Sequence, residues 1–413
     1  MPSLASTVAA LRHRDFRWLW CGTFFSTAAQ WIQQATLGWV VYDITGSAAL
    51  LGAVLGVRAV PMLALAPLSG LVADRFDRRY ALALSQVAPC LVSFLLAGLL
   101  AFDVVQVWHL FLFSLVGSSG TVFERTLRNT MVFDIVPREE AANAVALNTI
   151  AFSVTRTLGP ALAGILIAAL GPAWNFAIQG VTYAGVTASV LMIRLARTPA
   201  GARPAAAWRT MFAGLRFVAA HPAARAMAIL GVVPPLLLIP SFSALMPVFA
   251  ADVFAVGPEG LGLMLSAVGA GGVVGGALAA TLARYEHVAR MQMYALVAFA
   301  LALIAFASCA TVAVAIVFLV IAGMAEMVLA ASTTTSLQMC APDAMRGQVT
   351  SVLPMLPAFI SVGSLIAGIG AQAIGARPFV VVTAVLAVMV FALLWRRSAV
   401  FRGLRMSALI ARR

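Results

Sequence analysis

"GLVADRFDRR", residues 70–79, puts five charged side chains into its last six positions, in a chain of which only 10% is charged. The residues on either side, about 48–72 and 79–101, are almost all apolar or small. About 20 such residues carry a helix across the hydrocarbon of a bilayer. The charged stretch therefore reads as a tight loop at a membrane surface, between two spanning helices. The rest of the composition points the same way. The 413 residues are 62% hydrophobic, with a mean hydropathy of +1.01, more apolar surface than a soluble fold of this length can bury.

Working outward from the loop gives twelve apolar runs, at roughly 17–42, 48–72, 79–101, 105–131, 143–170, 173–194, 225–250, 260–283, 289–308, 311–337, 349–374 and 378–396. Period-two alternation is absent, which excludes barrel strands and leaves helices as the spanning element. All 27 basic residues are arginines, and they concentrate in alternate loops: Arg75, Arg78 and Arg79, then Arg138, Arg194 to Arg225, Arg284 and Arg290, Arg346, and the tail from Arg396. The other loops hold Asp43, Asp103, Asp252 and Glu259, with Arg377 their single arginine. The positive-inside rule then places both termini in the cytoplasm. The net charge of +13 is topological, and there is no soluble domain to carry a nucleic-acid interface. Cys21, Cys90, Cys309 and Cys340 are scattered without metal-ligand spacing and read as small packing residues.

The apolar runs fall into two sets of six, an N-terminal half at 1–194 and a C-terminal half at 225–413 with a basic tail. The cytoplasmic linker between them, 195–224, places Trp208, Met211, Phe212, Leu215 and Val218 at helical spacing, an amphipathic helix on the inner membrane surface. The halves repeat. Gly70 and Gly276, Arg78 and Arg284, and Gly117 and Gly323 are each 206 residues apart; Pro137 and Pro342 are 205 apart and Gly171 and Gly375 are 204 apart. Two repeated six-helix halves suggest a secondary transporter with its site between them.

The loop itself resembles the G-x-x-x-D-R-x-x-R-R pattern between helices two and three of the major facilitator superfamily. "LRHRDFRWLW" (11–20), "QWIQQATLGWVVYDITGSAALLG" (30–52), "VPREEAANAVALN" (136–148), "TRTLGPALAG" (155–164) and "GLRFVAAHP" (214–222) are similar to one subgroup of it, the transmembrane secretion effectors, which includes enterobactin exporter and macrolide efflux proteins. The resemblance implies an all-α membrane protein with twelve transmembrane helices in two halves. It implies a secondary active transporter that exports a small molecule (a drug, siderophore or amphiphilic metabolite) across a bacterial inner membrane by alternating access. Protons are the coupling ion it implies. It gives Gly70, Asp74, Arg75, Arg78, Arg79 and Arg128 gating roles, with Gly70 allowing close helix approach and Asp74 a latch whose first candidate partner is Arg128. Ala280 stands where the second half would carry the acid, so the latch is asymmetric. Gly159, Pro160 and Gly164 match part of the antiporter signature as helix-packing residues. Thr126 and Phe133 replace prolines expected near those positions, which implies a straighter helix four.

Charged groups inside a membrane are costly and mark functional sites. Glu326 in span ten and Glu124 in span four are the candidates for proton coupling, because a desolvated acid is what coupling requires. Glu124 and Arg128, four apart, can instead pair along one helix. Gln30, Gln33 and Gln34 share a face of span one; with Trp31, Arg58 and Arg156 they are candidates for the substrate cavity, and the glutamine face can equally pack on another helix. Prolines 234, 235, 240 and 247 in span seven, and 354 and 357 in span eleven, mark breaks. Enzymatic motifs such as HExxH and G-x-S-x-G are absent, so neither catalysis nor a cofactor nor a metal is expected. The expected partners are the substrate, protons and lipid, with the protein a monomer. Two alternatives remain: an importer or facilitator of a small metabolite or lipid, and a non-transporting scaffold or sensor.

Overall fold

A computed structural model describes residues 9–193, 216–282, 285–340, 356–398 and 402. Most of the amphipathic linker segment, Arg284, Arg346, Pro354 and nearly all of the basic tail lie outside the described residues. The described chain is helical, with no strand among its residues. After a 3-10 turn (Ala9–Arg12) come α1 (Arg14–Thr45), α2 (Ala48–Gly56), α3 (Ala59–Arg75), α4 (Arg78–Ala101), α5 (Val107–Ile135), α6 (Ala141–Leu170) and α7 (Pro172–Leu191). The later helices are α8 (Pro222–Val233), α9 (Gly257–Leu282), α10 (Val288–Ser308), α11 (Val312–Cys340), α12 (Leu356–Ile374) and α13 (Ala376–Arg397). Among the described residues, nine helical stretches are long and apolar enough to cross a membrane; α2 and α3 together make one of them. Helices α1, α5 and α7 have the length but are not among these nine. They are the helices that carry Gln30 and Gln33, Glu124 and Arg128, and Asn175 and Gln179.

The chain divides into two compact units. The first is Met1–Val41 with Val60–Pro204, and the second is Tyr42–Ala59 with Ala205–Arg413. The end of α1 and all of α2 thus belong to the second unit, although they lie early in the sequence. Glycine explains how α2 packs there. A Cβ on Gly52 would lie 2.7 Å from Gly368 Cα and 2.5 Å from the Ser364 carbonyl of α12. The two helix backbones meet where neither carries a side chain, the close approach that small residues permit in membranes. Ser47 caps α2 by accepting from Leu50 N, and Gln372 Oε1 accepts from Ala48 N at 3.0 Å. Tyr42 Oη donates to Asp252.

Gly171 and Gly375, matched by the repeat, have the same backbone job. Their φ values are +85° and +88°, and each precedes a helix, α7 and α13. Side-chain-bearing residues avoid that region, so glycine is required at both corners. Span seven is continuous in length, Pro222–Val253, yet it is interrupted as its prolines imply. Two π-helical turns, Pro234–Leu238 and Phe249–Val253, flank short α turns. Proline has no N–H to donate, so the local ladder re-forms with wider i to i+5 bonds, such as Ile239 N to Pro234 O at 2.8 Å. By contrast α5, with Thr126 and Phe133 in place of prolines, runs unbroken over 29 residues. The Thr126 hydroxyl meets that of Ser69 on α3 at 2.8 Å.

Candidate functional site

The polar residues of α1 recur at 23, 26, 30, 33 and 36, steps of three or four that put them on one helical face. Within the first unit that face meets α5 and α7. The Glu124 carboxylate of α5 receives three donors: Ser26 Oγ to Oε1, Arg128 Nη2 to Oε1 at 2.7 Å, and Gln30 Nε2 to Oε2 at 3.0 Å. Arg128 Nη1 also donates to Thr23 Oγ1 at 2.9 Å and points at the Leu19 carbonyl, 3.5 Å away. The guanidinium lies beside Gly22, where a Cβ would stand 3.5 Å from Nη1 and 3.3 Å from Ser189 Oγ of α7. Further along, Gln179 Nε2 of α7 donates to Gln33 Oε1 at 2.6 Å and to Tyr183 Oη at 3.1 Å. Asn175 Nδ2 donates to Thr36 Oγ1 at 2.7 Å and to the Ala163 carbonyl at 3.2 Å.

Glu124 and Arg128 are only 4% and 6% exposed. Removing two ions from water costs several kcal/mol each even after relaxation, and only good geometry with further hydrogen bonds offsets it. Here the carboxylate has those bonds. Such a pair adds little net stability compared with an apolar packing of the same shape, so its presence in a chain this poor in charge is better explained by function. Chemically the arrangement can do one thing no apolar packing can. A proton arriving on Glu124 cancels the charge that holds Arg128 and leaves the guanidinium with its neutral partners.

Several expected site residues fall together here. The four-apart Glu124–Arg128 pair forms along α5. Gln30 and Gln33, expected on a cavity wall or a helix contact, bond Glu124 and Gln179 through their amides, and Gln34 is half-buried beside them on α1. Trp31 packs edge-on to Phe152 at 5.7 Å, and Arg156 lies 5.8 Å from the Trp31 ring centre. At Gly159 a Cβ would stand 2.7 Å from Trp31 Cβ, so α6 and α1 approach closely there. Pro160 and Gly164 are buried in the same helix, α6. Arg58 sits at the break between α2 and α3, and Glu326 is half-buried in α11 of the second unit.

The charged loop differs from its expected form in two respects. Gly70 meets no neighbouring atom within 4 Å, so it brings no helix close. Arg128 is taken by Glu124 and Thr23, and the exposed Asp74 does not pair with it; a carboxylate one turn away on the same helix is simply the nearer partner. Arg78 instead bonds Asp134 near the end of α5 and donates from Nε to the Ala73 carbonyl at 3.0 Å. Arg79 Nη1 donates to the Ile193 carbonyl at 3.1 Å, Asp77 caps α4 through Arg79 N, and Arg75 ends α3 exposed. Asp134, Asn175 and Gln179 were not singled out by sequence. Asp134 sits three residues before Pro137, and Asn175 and Gln179 are four apart on a helix with few other polar groups, which was the available signal.

The family profile described as transmembrane secretion effector matches residues 5–407. The staphyloferrin A transporter of Staphylococcus aureus is 22% identical over 87% of this chain and 90% of its own length. The multidrug efflux pump Tap of Mycolicibacterium fortuitum is 27% identical over 82% of this chain and 84% of its own. Among solved structures, a bacterial homolog of the human lysosomal transporter Spinster superposes with a TM-score of 0.76, covering 97% of this chain and 99% of that one at 15% identity. At that identity the likeness shows the fold.

Proposed function

Because the chain belongs to the transmembrane secretion effector family of major facilitator transporters, we propose that it exports a small molecule in exchange for protons, with Glu124 the acid that binds them. The observation carrying this reading is the buried carboxylate whose three donors include Arg128 on the same helix. Proton binding at Glu124 weakens its hold on Arg128 and α1, and release restores it. That gives α1 and α5 two hydrogen-bond arrangements, and alternating access needs such a two-state element. Efflux is favoured as the direction because the relatives include a multidrug efflux pump. Siderophores and drugs are the substrate classes those relatives suggest. The cytoplasmic placement of both termini, an inner-membrane location and monomeric action complete the proposal; the arginine-rich alternate loops support the first of these.

The test begins with a deletion strain screened for sensitivity to many compounds. The compound with the strongest effect is then followed in inverted vesicles carrying the protein. Accumulation that appears on acidifying the vesicle lumen and vanishes when the gradient is collapsed is expected. Transport that ignores the gradient, or runs the other way, sinks the proposal.

A further inference from the structure

The polar face of α1 continues well beyond Glu124. From Thr23 to Thr36 it runs about 20 Å at 1.5 Å per residue, against a hydrocarbon core of about 30 Å. The part from Gln33 to Thr36 is more than the Glu124 pair requires, and its burial has a price in desolvation. Two amides of α7 that line it are almost completely buried, Asn175 at 0% and Gln179 at 1% exposure. Both use their nitrogen fully, yet Asn175 Oδ1 and Gln179 Oε1 accept no hydrogen bond from any protein group. The amide orientation of Asn175 is settled, because the Ala163 carbonyl it faces can only accept. Ser114 Oγ on α5, in a residue 1% exposed, is likewise without a protein partner. One turn along α5 from Ser114, Gly117 faces Gln33: an added Cβ would lie in contact with Gln33 Nε2, at 3.7 Å, and a larger side chain would press into the seam.

Buried polar oxygens are hydrogen-bonded in native proteins, and where protein donors are lacking the partner is water. Resting on the reading of Glu124 as the coupling acid, we infer that this seam holds a file of buried water molecules inside the first unit. The file is the route by which protons travel between Glu124 and the membrane face nearest Thr36. Each water takes a proton from one neighbour and passes another on, so that one proton enters at the Asn175 end and one arrives on the Glu124 carboxylate. Asn175, Gln179 and Ser114 position the waters and do not themselves titrate. Arg128 is the ionisable group that bonds Glu124, Arg125 beside it on α5 acts on it through its charge, and α1 presents it with the Ser26 hydroxyl and the Gln30 amide. Protons thereby reach Glu124 through the interior of one unit.

The seam is tested on the whole reconstituted protein without knowledge of the substrate. After a rapid acid pH jump, infrared spectroscopy follows the rise of the protonated carboxyl band, assigned to Glu124 by its loss in Glu124→Gln. Gln179→Leu plugs the seam from α7 and Gly117→Val plugs it from α5, so one misfolded variant does not end the test. In a folded variant the band is expected to rise slower than wild type by about tenfold or more, with unchanged final amplitude. A band that rises equally fast in both variants overturns the seam and leaves the role of Glu124 standing. The absence of any band lost in Glu124→Gln overturns the coupling proposal, and the seam with it.

Discussion

The two units answer the same packing problem differently. At the repeat offset of 206, the seam residues Thr23, Ser26, Gln30, Gln33 and Thr36 correspond to Ile229, Val232, Leu236, Ile239 and Phe242. Glu124 corresponds to Ala330 and Arg128 to Thr334; at the offset of 204 that relates Gly171 to Gly375, Asn175 corresponds to Phe379. At these positions the first unit joins its helices through hydrogen bonds, and the second places mostly apolar side chains there. A Cβ on Gly271 would stand 2.0 Å from the Val320 carbonyl, and one on Gly323 would stand 2.1 Å from that of Val268, so α9 and α11 touch backbone to backbone. The helices of the first unit that correspond to them, α3 and α5, meet through the Ser69 and Thr126 hydroxyls. The lesson is a division of labour within one repeated fold. At these matched positions the first unit carries ionisable and hydrogen-bonding groups where the second carries mostly apolar ones.

The largest effect should come from splitting the buried pair. Arg128→Met leaves Glu124 buried without its cation and is expected to cost about 3–5 kcal/mol, read as a loss of thermal stability in detergent. Glu124→Met combined with Arg128→Met should recover most of it and still lack gradient-driven transport. If the double variant is no more stable than the single one, the pair is not what the geometry says. Next comes a matched pair across the units. Phe242→Thr removes a ring that lies 6.1 Å from Phe299 and should cost about 3–5 kcal/mol, as large-to-small core changes do. Its counterpart Thr36→Val removes one bond to Asn175 and should cost about 1 kcal/mol. Equal losses would erase the contrast between a packed unit and a hydrogen-bonded one.

Gly271→Val should cost more than Thr36→Val, at least about 1–3 kcal/mol, because a Cβ there would meet the Val320 carbonyl at 2.0 Å and push α9 off α11. The smallest belongs to Gly70→Ala, which meets open space and should leave the melting temperature unchanged or slightly raised, by at most about 1 kcal/mol of helix propensity. A collapse of folding in Gly70→Ala would restore the close-approach role that the structure denies it.

Much of the fold was legible because membrane helices announce themselves by length and hydropathy, and because Gly171 and Gly375 hold a backbone conformation that leaves glycine no substitute. The Glu124–Arg128 pair was readable from four-residue spacing alone. The partners of the seam were not. Helical periodicity says which residues of α1 share a face, but which helix that face meets is decided by tertiary packing, so Asn175 and Gln179 stayed unnoticed. Asp134 was hidden for the same reason: a carboxylate near a helix end has many possible arginine partners, and only the fold brings Arg78 to it. The assignment of Tyr42–Ala59 to the second unit was equally out of reach, since it depends on Gly52 finding Gly368, more than 300 residues away.

We propose that proton coupling resides in the first unit, at Glu124, rather than at Glu326, the other candidate acid. It is tested most directly by measuring gradient-driven uptake into inverted vesicles for wild type, Glu124→Gln and Glu326→Gln side by side, using the compound identified by the deletion strain. The account predicts that Glu124→Gln transports at one rate with or without the pH gradient, while Glu326→Gln keeps its gradient dependence even if its rate falls. Retained gradient dependence in Glu124→Gln, with its loss in Glu326→Gln, would contradict it.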